Sequence, residues 1–597
     1  MNIQNIVFPQ IGICDKEEMF FRRCINNNIS VSFDKTARKL DFVKFGKVNF
    51  NTYFNCFSIC KWKKYTKINN LSLILMIEGD FHINVYDCLA NGKWISEKKV
   101  DEYDISSKGK EEVKINLNIE HMDGIITFSL TALSAHAVLY GGFYSTDIDK
   151  NETNETNIAI NICTFKREKF ILHNIDVLKK YIIENVESPL YNHLQVYISD
   201  NGKSLPLSEI NSDTIHIVEN KNVGGAGGFS RGIIEILNNM DSFCATHALM
   251  MDDDIVIMPE SLFRTYTILS CRKEEYIDLF IGGAMLKIDQ PTIQVESGAS
   301  WNAGELISNK FNYDMQDFVY CVQNEVEEYT EYNAWWYCCT PISVINENNL
   351  PLPIFIRGDD LEYGLRNMKD LFLLNGICVW HESFENKYSS FLQYYILRNL
   401  LYDNSLHCRN YTRFNFLIKL LKNVAREMIY YRYKNIDLIL RGVEDFFKGT
   451  EFLINTDAEK LHKEIMAAGY RAESMNLDIT HYDDNKITSE GKISKLIRAI
   501  TINGYLLPAK SNKEIIVSMA QCKPIDFYRF SNVLNYDPVS GKGFITSKSY
   551  KEAFRTGIQC LKIVIKILFC YGSAVNRFRK DYHSVTNMKF WKKYLDI

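Results

Sequence analysis

The chain reads as a multidomain α/β protein with an N-terminal jelly-roll-like β-sandwich, a central doubly wound α/β domain and a C-terminal helical domain. Three observations predict this. Apolar runs of strand length, separated by turn residues, fill positions 1–150. Strands alternate with helix-length segments over 157–400. Helical periodicity dominates 401–597. A chain of 597 residues, 46% hydrophobic and 24% charged, has room for several ordinary cores.

In the N-terminal part, segments starting at Leu71 and Phe81 alternate or run apolar, punctuated by Gly79-Asp80 and Asn91-Gly92. Val113–Ile119 alternates strictly, and Gly124–Leu133 and Ala137–Tyr144 continue the pattern. The polar stretch NETNETN (151–157) follows and reads as a linker. Next come a strand over Ile158–Thr164, a helix over Lys169–Glu184, and strands over Leu194–Ser199 and Thr214–Val218. A glycine segment, a helix from Ser230 to Met240 and an apolar strand ending in Asp252-Asp253-Asp254 complete the α/β series. In such a domain ligands bind at the carboxyl ends of the strands. Thr164–Arg167, Asp200–Gly202, Asn222–Gly228 and Asp252–Asp254 all fall there.

The net charge of -4 argues against a general nucleic-acid binder. Sixteen cysteines without a CxxC pair suit a reduced, cytoplasmic protein. The first residues lack a basic segment leading into a long apolar one, so no secretory signal is expected. No uninterrupted apolar run reaches about 18 residues, so no transmembrane helix is expected.

Three successive carboxylates at a strand end are costly unless a cation neutralises them, and a divalent ion that also meets a phosphate-bearing substrate is the natural candidate. On extended chain Asp252 and Asp254 share a face while Asp253 points elsewhere. The plain alternative is a solvated acidic turn. His381, at the end of a later strand, is suited to completing such a site, although a lone histidine also serves as a core residue. Gly224–Gly228 matches neither a dinucleotide fingerprint nor a Walker loop, yet permits close backbone approach to an anion at a helix start. Asp359 and Asp360 open a further helix. One of them explains a cap, and the other is available as a general base toward a hydroxyl. Trp335-Trp336 and Trp301 offer aromatic faces to sugars, or else fill the core. The last 47 residues carry ten basic and three acidic side chains around apolar segments, which suits either an anionic membrane surface or an amphipathic helix packed on the core.

The motifs CTFKR, DNG, NVGGAGGFSRG, MDDDI, WWYCC, RGDDLEYGLR, WHESF and YYILRNLLY occur in this order. Their combination resembles the bacterial galactofuranosyltransferases of cell-wall galactan assembly, within inverting glycosyltransferase family 2. The resemblance spans residues 50–420. It implies a central GT-A fold, a UDP-galactofuranose donor, Mn2+ or Mg2+, a glycan or lipid-linked glycan acceptor, and a peripheral position at the inner face of the plasma membrane. By motif, Asp252 and Asp254 would bind metal and diphosphate, with His381 completing the metal site. Asp360 would be the catalytic base, with Asp359 beside it. Arg167, Asn222, Gly224, Gly225 and Asp253 would contact the donor, and Trp335 and Trp336 the acceptor. Asn201, a further donor-binding candidate, stands where the family commonly has Gln. Trp301 is a further acceptor candidate on a segment, Gly298–Trp301, shorter than the family's pattern. Ring size is not legible in these motifs, so another UDP-sugar donor stays open. So do a non-catalytic carbohydrate-binding scaffold and assembly as a homo-oligomer.

Overall fold

The strand Leu71–Asn91 runs 21 residues without a break. Gly79-Asp80, expected to end it, instead forms a bulge, with the register shifting between Ile77 and Gly79. Gly79 takes φ +92°, and a Cβ there would collide with the His136 carbonyl. The alternation of buried Leu73, Leu75, Ile77, Phe81, Ile83 and Val85 passes straight through the bulge. This strand pairs along its length with Trp94–Leu117, and successively with His136–Ser145 and Ile125–Ala132. Nine strands join into one hydrogen-bonded antiparallel sheet.

The computed structural model describes residues 1–24, 31–302, 304–383, 388–475, 491–509 and 515–597; Phe384 of the WHESF motif lies outside them. The backbone separates into two units. One holds Met1–Lys221, Gly228–Leu350 and Tyr363–Glu382; the other holds Asn222–Gly227, Pro351–Glu362 and Ser383–Ile597.

In the first unit the N-terminal sheet packs directly on the α/β part. Arg264, fully buried on the helix Pro259–Cys271, donates to Glu260 Oε1 at 2.9 Å, to the Asn375 carbonyl at 2.7 Å and to the Phe54 carbonyl. Glu260 in turn accepts from the Asn5 backbone at 3.0 Å and its side chain at 2.8 Å. These partners satisfy a charge pair that burial would otherwise make costly. The NETNETN segment is tied down as well. Asn154 Nδ2 donates to the Ser270 and Arg272 carbonyls at 3.2 and 2.7 Å.

The second sheet begins with four parallel strands in the order Ile215–Glu219, Leu194–Asp200, Ile158–Thr164, His247–Asp252. Chain order reverses between the last two, which opens a crevice at their carboxyl ends. Cys338–Pro341 adds antiparallel to His247–Asp252, and Phe280–Lys287 adds beyond it. Leu371–His381 pairs parallel with Phe280–Lys287. It runs as one strand past Arg264, where Gly376, at φ +80°, leaves room that a Cβ would fill.

The second unit contains the helices Leu392–His407, Arg413–Ile429, Tyr433–Phe447, Ala458–Ala468 and Tyr550–Asp581. The helix Arg413–Ile429 ends before Tyr431, which takes φ +55° ahead of the next helix. The C-terminal part is mostly helical and also carries strands. Strands Glu473–Ser474, Lys542–Ser547, Asn532–Asp537 and Ile515–Ser518 form a four-stranded sheet. Its centre is partly polar, which hides it from apolar periodicity. Buried Arg432 donates to Asn535 Oδ1 at 2.6 Å and to the Met519 carbonyl at 2.9 Å. Among the described residues one helical segment, Tyr550–Val585, is long and apolar enough to cross a membrane by length and composition. Lys562 and Lys566 interrupt its apolar run in sequence, which is why the uninterrupted-run expectation passed over it.

Candidate active site

Asp252 ends its strand directly beside Cys163 of the neighbouring parallel strand, in the crevice where chain order reverses. The turn after it is pinned from below. Asn174, buried on the helix Glu168–Leu178, donates to the carbonyls of Asp253 at 3.3 Å and Ile255 at 3.0 Å. The chain then makes a short antiparallel ladder, Val256 with Trp380 and Ile257 with Val379. That ladder delivers His381 to the acidic turn. His381 Nε2 lies 3.1 Å from Asp254 Oδ1. Ligand atoms of Asp252, Asp254 and His381 all lie within 4.8 Å of one another.

His381 Nδ1 lies 2.7 Å from the Glu382 carbonyl, which cannot donate. A proton is therefore inferred on Nδ1, which leaves Nε2 as the ring nitrogen nearest the carboxylates. Two carboxylates with one imidazole suit Mn2+ or Mg2+. Arg167, partly exposed, supplies positive charge here. It pairs with Asp254 Oδ2 and stands 3.6 Å from Asp253 Oδ1. Asp253 is buried; burial pushes its carboxyl above the ordinary range, against the pull of Arg167.

The loop Asp200–Leu205 is built by its own first residue. Asp200, fully buried, accepts from the backbone of Gly202 at 2.9 Å, Ser204 at 2.7 Å and Leu205 at 2.9 Å. Asn201 Nδ2 reaches Cys163 Sγ at 3.3 Å, and its Oδ1 accepts from Asn220 at 2.8 Å.

In the second unit the glycine segment is not a loop. Gly224 begins the helix Gly224–Asn238, one and a half turns before the expected start. Asn222 Oδ1 accepts from the Gly224 backbone at 3.2 Å, in the manner of a cap. Close approach is what these glycines permit. A Cβ on Gly224 would run into the Phe355 carbonyl, and one on Gly225 would stand 3.3 Å from Asp359 Oδ2. Asp359, Asp360 and Glu362 form the acidic first turn of the helix Asp359–Asn367, where the helix dipole favours negative charge. Asp360 Oδ1 accepts from the Leu361 backbone at 2.8 Å.

The chain has named relatives. The family description "Galactofuranosyltransferase 2 N-terminal" matches residues 3–146. Galactofuranosyltransferase GlfT2 of Mycolicibacterium smegmatis is 26% identical over 487 residues, 76% of this chain and 72% of the relative. GlfT2 of Mycobacterium tuberculosis is 25% identical over 443 residues, 68% of this chain and 66% of the relative. The chain is a glycosyltransferase, homologous to the galactofuranosyltransferases. Among solved structures, a Clostridium thermocellum endo-1,4-β-D-xylanase aligns over 34% of this chain and 39% of its own, at 8% identity and a TM-score of 0.18, too low for a shared fold.

The aromatic candidates of this glycosyltransferase are more enclosed than their sequence suggests. Trp335 is 4% exposed and packs on Phe229 and Tyr363, with centroids at 4.7 and 5.8 Å. Trp336 is 7% exposed, and its indole N–H donates to the Gly283 carbonyl at 2.9 Å. Neither presents an open face in this structure. Trp301 is half-buried on the hairpin Ala299–Asn302 and Glu305–Ser308, its backbone N–H donating to Glu331 at 3.0 Å. Asn174, which fixes the acidic turn, carried no sequence signal beyond its residue type.

Proposed function

We propose that this glycosyltransferase moves galactofuranose from UDP-galactofuranose to a hydroxyl of a glycan or lipid-linked glycan, with inversion at the anomeric carbon. The observation that carries the reading is the Asp252, Asp254 and His381 cluster at the switch point of a parallel sheet, where a nucleotide-bearing donor is expected. The relatives' names supply the sugar. The sheet order and the acidic turn suit a GT-A domain, and the long bulged strands before it suit a jelly-roll-like sandwich.

Mn2+ or Mg2+ would be held by Asp252, Asp254 and His381 and, when bound, would offset the charge of the diphosphate and of the departing UDP. Arg167 and Asp253 border the donor's position. Asn222, Gly224 and Gly225 stand at the start of a helix, where the dipole favours an anion. Asp360 accepts the proton of the acceptor hydroxyl as that oxygen forms its bond to the anomeric carbon and the bond to UDP breaks. Asp359 stands beside it as a second carboxyl group. Trp335, Trp336 and Trp301 exclude water and shape the acceptor side. Placing the two sugars in line supplies most of the acceleration.

The lipid-linked acceptor suits a peripheral membrane position. Tyr550, Phe554, Ile558, Leu561, Ile565 and Phe569 recur every three or four residues and are exposed on one long helix. The decisive experiment incubates purified protein with UDP-galactofuranose, UDP-galactopyranose or UDP-glucose and lipid-linked glycans, reading product mass and linkage. Transfer from UDP-galactofuranose alone is expected; transfer from another donor in preference would overturn the sugar assignment.

A further inference from the structure

The segment YYILRNLLY (394–402) lies on the helix Leu392–His407, and neither the metal cluster nor the acid pair gives it a role. Its two central polar residues, Arg398 and Asn399, are each 2% exposed. Asn399 Nδ2 donates to the carbonyls of Ile356 at 2.8 Å and Arg357 at 2.7 Å. Arg398 Nη2 donates to the Ile354 carbonyl at 2.6 Å. Arg398 Nε also donates to Asn399 Oδ1 at 2.9 Å. That bond orients the amide, so its NH2 and not its oxygen meets the carbonyls. Behind them, Arg398 Nη1 donates to the Tyr394 hydroxyl at 3.1 Å, which donates to Asp445 at 2.7 Å. The rings of Tyr394 and Tyr395 lie 4.8 and 4.9 Å from the guanidinium carbon.

The gripped carbonyls belong to the turn that leads into Asp359 and Asp360. Phe355, Arg357 and Gly358 have φ of +78°, +65° and +102°. Two of these are not glycine, and such backbone persists only where the surroundings over-determine it. Packing alone would be served as well by an apolar residue of similar volume, without burying a permanent charge.

We infer that Arg398 and Asn399 are positioning residues: by fixing the carbonyls of Ile354, Ile356 and Arg357 they hold the strained turn and so aim the Asp359 and Asp360 carboxylates. The inference rests on the reading of Asp360 as the base.

The test measures transfer by the full chain from UDP-galactofuranose to a lipid-linked glycan, together with thermal unfolding, for wild type, Asn399→Asp, Asn399→Gln and Arg398→Lys. Asn399→Asp keeps the shape but replaces the donor with an acceptor. Its kcat is expected to fall by about 100-fold, the scale of a misplaced reacting group, with the donor KM within about two-fold of wild type. Asn399→Gln keeps an NH2 group and should recover at least about ten-fold of that loss. Arg398→Lys, which keeps the charge and loses the fork, should also lower kcat selectively, and it carries the test if Asn399→Asp does not fold. Wild-type kcat in Asn399→Asp, or kcat and donor KM moving together with lost thermal stability and no recovery in Asn399→Gln, would overturn the inference. No transfer by wild type from any UDP-sugar would overturn the functional reading itself, and is seen in the wild-type arm alone.

Discussion

His381 Nε2 lies 3.1 Å from Asp254 Oδ1, although 126 residues separate the two in the chain. The ladder of Val256 with Trp380 brings them together. A metal site assembled this way depends on strand pairing as much as on its ligands.

Removing one ligand should therefore abolish metal binding without unfolding the sheet. Mn2+ with UDP should raise the thermal midpoint of the wild type, by about 2.7 kcal/mol of stabilisation at a hundred times Kd. In Asp254→Ala and in His381→Ala the rise should vanish. An unchanged rise in both variants would remove these residues from the ligand set.

The base is separable from the metal. Asp360→Asn should lower kcat by about 100- to 10,000-fold, the usual worth of a general base, while calorimetric UDP binding with Mn2+ persists. Full turnover by this variant would pass the role to another residue, with Asp359 the first to test by the same substitution.

Acid should weaken the strand that feeds the acidic turn. His247 is buried at its start, and burial, with the Arg272 charge second, pushes its imidazole down to about 3. The unfolded chain binds a proton near pH 6.5, so between that value and about 3 unfolding takes up a proton. The contribution to stability is present above pH 6.5 and is lost as pH falls, by at most about 1.4 kcal/mol per pH unit. Urea unfolding at pH 7 and pH 5 should show a smaller difference in His247→Gln than in wild type. Equal differences would mean that other groups set the acid limb.

The buried pair Glu260 and Arg264 ties the N-terminal sheet to the α/β part. Glu260→Ala leaves the guanidinium without its carboxylate and should cost about 3–5 kcal/mol in urea unfolding. A loss below about 1 kcal/mol would show that the carbonyl partners of Arg264 suffice.

The exposed stripe on the helix Tyr550–Asp581 should hold the protein on vesicles containing anionic lipid and release it in high salt. Phe554→Asp with Leu561→Asp should abolish co-sedimentation while leaving thermal stability near wild type, since both side chains face solvent. Absence of wild-type binding to such vesicles would end the membrane reading.

Much of the α/β series was legible because its signals are local. The strand Ile158–Thr164 matches its sequence reading residue for residue. Glycine misled twice. Gly79 reads as a turn but makes a bulge, and Gly224–Gly228 reads as a loop but opens a helix. In both cases the glycine is there because another group comes too close for a Cβ, and a neighbour distant in sequence cannot be read from the sequence. Trp335 and Trp336 show the same limit. An aromatic pair carries no mark of whether its faces meet a ligand or Phe229 and Tyr363.

The sequence by itself determined the alternation of strands and helices and the position of Asp252, Asp253 and Asp254 at a strand end, since periodicity and residue chemistry act within a few residues. Only the tertiary structure decided that His381 completes the acidic turn, that Asn174 pins it from below, and that Arg398 and Asn399 grip the turn before Asp359. Each of those contacts joins segments tens to more than a hundred residues apart, and which segments meet is set by strand pairing and by the need to satisfy buried polar groups across the whole fold.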